Sequence, residues 1–184
     1  MIEQGAGNRE EIETPSVIDD AQIGFAMQSL RDDENFLLAI AAGLVAAVIG
    51  AAAWTGITIA TNYQIGFMAV GVGYLVAFSI RTAGKGISKK FQILGALLSL
   101  LGCVSGNYFT ICHLIAQKDG IGFFDQLTNA NPLAILFVMK ENFSPMDILF
   151  YGIAIYEGYR LSLRKFNPGE LESFIDPDSA GGAA

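Results

Sequence analysis

From Asn35 to Ile80 the chain carries no Asp, Glu, Lys, Arg or His. A helix that crosses a bilayer needs about 20 mostly apolar residues, so this interval has room for two. The alternative, a large buried core in a soluble domain, fits the composition poorly. Only 16% of the 184 residues are charged, against about a quarter in ordinary soluble domains, and 52% are hydrophobic. The chain therefore reads as an integral membrane protein.

The charge that is present sits at the ends. Nine acidic residues precede Phe36 (Glu3, Glu10, Glu11, Glu13, Asp19, Asp20, Asp32, Asp33, Glu34), and four more lie in the tail (Glu170, Glu172, Asp176, Asp178). A net charge of −7 without clustered Lys and Arg argues against nucleic acid as a partner. Residues 1–15 are acidic and polar, unlike a cleavable signal peptide. Ser16 and Asp19 then resemble a capping box, and Ile23, Met27 and Leu30 recur at helical spacing. A short amphipathic helix over about 17–30 follows, within an acidic cytoplasmic segment, 1–35. Its carboxylates would be repelled by anionic lipid, so it suits protein contact better.

Four spans are expected, at about 36–60, 64–80, 91–116 and 145–163, forming an all-α membrane bundle over 36–163 with an acidic tail over 164–184. Thr61-Asn62-Tyr63 reads as a tight outer turn, with Trp54 and Tyr63 toward an interface. Arg81, Lys85, Lys89 and Lys90 make a basic loop that Gly84 and Gly86 would bend, and Arg81 to Gly86 reads as a flexible turn. Ser144-Pro145-Met146-Asp147 supplies an N-cap, a proline at the first helical position and an acidic first turn. With four spans, Arg9, Arg31, the four basic loop residues, Arg160, Arg164 and Lys165 share one side, and only Lys118 and Lys140 lie opposite. The excess of basic residues on the cytoplasmic side puts both termini there. Between spans three and four, the apolar run Leu133 to Met139 after Asn131-Pro132 is too short to cross. It fits either an interfacial helix packed on the bundle or a re-entrant element.

Small residues run along three spans: Gly43, Ala47 and Gly50 in the first, Gly66, Ala69 and Gly73 in the second, Gly95, Ser99, Gly102 and Gly106 in the third. Steps of three and four keep each set on one helix face. In lipid, helices associate by close backbone approach, which small residues permit, and these steps favour a left-handed bundle. The seams serve packing within one chain or between subunits equally well.

Few residues offer chemistry. Asn107, Thr110, His113 and Glu157 are the intramembrane polar groups that a proton or ion path would use. The simpler readings are an interhelical hydrogen bond at Asn107, an interfacial His113, and an i,i+3 pair of Glu157 with Arg160. Tyr151, Tyr156 and Tyr159 suit packing and the interfacial belt. Cys103 and Cys112, nine residues apart on one helix, point to opposite sides and suit apolar packing. There is no phosphate-binding loop, nucleophile elbow or CxxC, and a single histidine leaves no His-rich metal site. No catalytic residue, metal or cofactor is expected.

Three stretches carry a likeness: Tyr63-Gln64-Ile65-Gly66-Phe67-Met68-Ala69-Val70-Gly71-Val72-Gly73, Arg81 with Gly84-Lys85-Gly86, and Leu101-Gly102 onward to Gly106-Asn107. They resemble a loosely defined group of small four-span bacterial membrane proteins without characterised activity. The resemblance implies an inner-membrane bundle. The residues point to a non-enzymatic structural or assembly subunit in the bilayer, as a homo-oligomer or within a membrane complex, with a small channel or transporter as the alternative.

Overall fold

The computed structural model describes residues 24, 28–61, 63 and 66–164. The described residues from Leu30 onward belong to one compact unit. The acidic segment 1–23, most of the expected 17–30 helix and the tail beyond Arg164 lie outside the described residues; Gln28 to Asp32 are helical.

The described chain is all-α, with helices α1 (Phe36–Thr61), α2 (Met68–Gly84), α3 (Lys89–Asp119), α4 (Phe123–Asn129), α5 (Pro132–Glu141) and α6 (Pro145–Leu161). Their ends follow local chemistry. Asn35 caps α1, its side-chain oxygen accepting the Leu38 N–H at 2.9 Å. Asn131 does the same for α5, which begins on Pro132. Ser144 and Asp147 complete a reciprocal capping box at α6, as the sequence implied. Helix α3 ends at Gly120, whose φ of 68° is a conformation glycine adopts without a side-chain clash.

Two boundaries differ from expectation. The second helix begins at Met68 rather than near Gln64, because Gly66 and Phe67 form a turn, with Ala69 N–H donating to Gly66 O. It also continues past Arg81 to Gly84, which places Arg81 in the last turn, where a cation suits the helix dipole. Helices α1 and α3, with mean hydropathies of 2.5 and 1.5 over their best windows, are long and apolar enough to cross a membrane. Helix α2 is apolar but shorter, at 17 residues.

Helices α2 and α3 touch each other, and each touches both α1 and α6, while α1 and α6 do not meet. The core between them is built from alanines and a few larger side chains: Val72, Val76, Ile80, Phe91, Leu98 and Trp54. Trp54 is fully buried rather than at an interface. The reason is Gly106 on α3, where an added Cβ would stand 3.2 Å from the indole, so a larger residue there would press on it. Among the described helices, the backbones of α4 and α5 approach that of α3, with Ile135 the buried residue of α5.

Candidate functional site

The expected seams lie at the helix contacts. Gly43 faces Leu98 and Ile80, Gly50 faces Val72, Gly66 faces Phe150, and Gly102 faces Val72 and Ala47. Ala47, Ala69 and Ser99 are buried. The closest approaches of one backbone to another involve α6, where the sequence reading marked no seam. A Cβ on Gly73 would meet the Ala154 carbonyl oxygen at 2.8 Å, and one on Gly158 would meet the Gly95 carbonyl oxygen at 2.5 Å. These are backbone-to-backbone contacts that no rotamer change can relieve. Ala154, Gly158 and Ser162 recur every four residues, a signal of the kind that marked the other three helices.

The polar candidates do not form one path. Asn107 is buried and donates from its amide to the Tyr151 hydroxyl, joining α3 to α6; that hydroxyl donates to the Cys103 carbonyl at 3.4 Å. Thr110 turns back onto its own helix, donating to Gly106 O at 2.8 Å. Asn107 and Thr110 line a cleft of about 220 Å³ between α3, α5 and α6. His113 does not line it and packs instead beside Phe123, ring centroids 6.2 Å apart. Glu157 sits further along α6, in a hollow with Tyr156, Arg160 and Leu161. The expected Glu157–Arg160 pair is not formed: Arg160 donates to the Tyr156 hydroxyl at 3.0 Å and lies over its ring. One Glu157 carboxylate oxygen is buried with no hydrogen-bond partner among the described residues. Cys103 and Cys112 are both buried free thiols. Tyr151 is buried too, while Tyr156 and Tyr159 are exposed.

The most elaborate polar constellation was not singled out from sequence. Glu34, just before α1, reaches the N-terminus of α3. One carboxylate oxygen accepts the Ile87 and Ser88 N–H groups at 2.8 Å and the Ser88 hydroxyl at 2.6 Å; the other pairs with Lys90 at 2.9 Å. The Glu34 side chain is 4% exposed. Burial alone would raise its pKa, but the Ser88 hydroxyl, Lys90 and the two backbone N–H groups outweigh that and hold it down at about 2. The Lys90 ammonium also lies 5.5 Å from the Phe36 ring and 5.3 Å from that of Phe91. Next to this clamp, Asn35 N–H donates to Gly84 O at 3.0 Å and Arg164 N–H to Gly86 O at 2.9 Å, so the starts of α1 and α3 and the ends of α2 and α6 converge. The basic turn is thus tied down rather than loose. Its bend falls on Lys85, at φ 48°, while Gly84 and Gly86 leave room for Ala39 and Phe91. The sequence signal for Glu34 was its position as the last charge before the apolar stretch.

Among the described residues no group of three His, Cys, Asp or Glu could hold a metal ion. No family model matches the chain, and neither a curated protein nor a solved structure matches it.

Proposed function

We infer that α1, α2, α3 and α6 are four membrane spans with both termini cytoplasmic, and that the protein is a non-enzymatic structural or assembly subunit of a bacterial inner membrane. The observation that carries this reading is the contrast between the two faces of the long helices. In their most apolar windows only 33% of α1 and 44% of α3 is buried, and Leu37, Val45, Val48 and Ile49 on α1 and Ile93, Leu97 and Leu101 on α3 are exposed. A helix apolar on every side needs a hydrocarbon or protein cover, and here the small residues take the inside. Large side chains facing out and glycines facing in suit lipid as the cover. The basic residues of the α2–α3 turn and the end of α6 then share the cytoplasmic side.

The inner faces are occupied by backbone contact and carry little chemistry, which supports a role through helix contacts with further copies or other membrane subunits. The cleft at Asn107 and Thr110 supports the second reading, a small channel or transporter. Two measurements separate them: the mass of the detergent-solubilised particle, and solute flux into liposomes containing the protein. Defined co-purifying subunits without flux are expected. Flux that disappears in Asn107→Ala or Thr110→Val, the polar residues of that cleft, would overturn the structural reading. A chain that stays in the supernatant without detergent would overturn the membrane placement itself.

A further inference from the structure

Helix α5 touches α3 but not α6, although only three residues separate α5 from α6 in sequence. The cleft this leaves is lined mainly by apolar side chains. Asn107 and Thr110 stand toward one end of the α3 wall and Lys118 toward the other, with Ile111, Leu114 and Ile115 between them; Val138 and Met139 of α5 face them, and Asn142, Phe143 and Asp147 close the side toward α6. Eleven helical steps lead from Asn107 to Lys118, about 16 Å at the rise of an α-helix. A space of about 220 Å³ spread over that length is narrow, the form of a single hydrocarbon chain rather than of a compact solute.

Water is a poor occupant, because a held water needs two to four polar partners and the middle of the slot is aliphatic. The polar groups of the walls are largely engaged. Asn107 donates to Tyr151, Thr110 to Gly106 O, and the Asp147 carboxylate accepts the Ser144 N–H at 2.8 Å. Lys118 is the cation on the lining and Asp147, on the α6 side, the anion; Lys140 lies one residue beyond Met139, in the last turn of α5. They are the two lysines between Lys90 and Arg160, an interval with no arginine. An apolar slot with a cation at one end complements an amphiphile with an acyl chain and a phosphate.

We propose that this cleft holds one phospholipid, its acyl chain along Ile111 to Ile115 and its phosphate at Lys118, so that lipid fills the gap between α5 and α6. The proposal rests on the membrane placement inferred above. The full-length protein is reconstituted into vesicles of a single synthetic phospholipid, re-extracted in mild detergent and weighed by native mass spectrometry. One phospholipid retained per chain is expected. Leu114→Trp fills the slot from an exposed wall position and strips the lipid; Lys118→Gln weakens retention roughly tenfold, the factor a charge-assisted contact carries. Lys118→Gln changes an exposed side chain, so it tests the site even if Leu114→Trp folds badly. Wild-type protein without bound phospholipid, or equal retention by wild type and Lys118→Gln, overturns the proposal while leaving a detergent-dependent four-span protein intact. A chain soluble without detergent overturns both.

Discussion

Removing the Glu34 carboxylate isolates what the clamp at the α1–α3 junction contributes. Its pKa falls from an ordinary 4.5 to about 2 in the folded protein. At about 1.4 kcal/mol per pKa unit, the folded state holds the charged form by roughly 3 kcal/mol relative to the unfolded chain. Lys90 is half exposed, and solvent screens its share, so 2–3 kcal/mol is the order to expect. Glu34→Gln keeps the shape and one acceptor but loses the ion pair; Glu34→Ala leaves the Ile87 and Ser88 N–H groups without their acceptor. Unfolding in detergent can be followed by the single tryptophan, since Trp54 is fully buried against α3. For a unit of this size the alanine variant should lose on the order of 5–10 °C in Tm, and the glutamine variant less. The pH dependence has a definite sign. A depressed carboxyl pKa gives stability that is fully present above 4.5 and lost as pH falls toward about 2. Wild type should weaken across that window, and Glu34→Gln should lose this component of the dependence. An alanine variant within about 0.5 kcal/mol of wild type, the range of ordinary surface changes, would refute the assignment.

Other outcomes follow from the close contacts. Gly158→Ala and Gly73→Ala press a Cβ onto backbone atoms and should each cost about 1–3 kcal/mol, whereas Gly152→Ala enters open space and should be neutral or slightly stabilising; thermal unfolding in one detergent compares all three. Tyr151→Phe removes the link from α6 to Asn107 and should cost about 1 kcal/mol by the same assay. Lys85→Gly relieves a left-handed backbone at a non-glycine residue and should leave the thermal midpoint unchanged or raise it in the same detergent assay. A cysteine placed at Lys85 should resist membrane-impermeant reagents applied outside intact cells; labelling there would invert or break the proposed topology.

Much of the fold was legible because it depends on local or periodic signals. The apolar run gave α1, the Ser144-Pro145 start gave α6, and Asn131-Pro132 gave α5. The glycine and alanine spacings marked the faces of α1, α2 and α3 that pack. The sequence leaves Asn107 either on a polar path or in an interhelical hydrogen bond, and in the fold its amide donates to Tyr151 on α6. Glu157 and Arg160 were paired by spacing alone, yet the guanidinium prefers Tyr156, because the ring offers both a hydroxyl and an apolar face. Trp54 was assigned to an interface by residue type, but Gly106, over fifty residues away, makes room for it inside.

By itself the sequence determined where helices form, which faces carry small residues and where charge is absent, since these depend on propensity, caps and period. Only the tertiary structure decided that Glu34 serves α3 rather than its own helix, that α6 approaches α2 and α3 through Ala154 and Gly158, and that α5 stands off α6. Those outcomes depend on partners distant in the chain. A carboxylate's role is fixed by the N–H groups and the ammonium that surround it after folding, and nothing in its own neighbourhood of sequence specifies them.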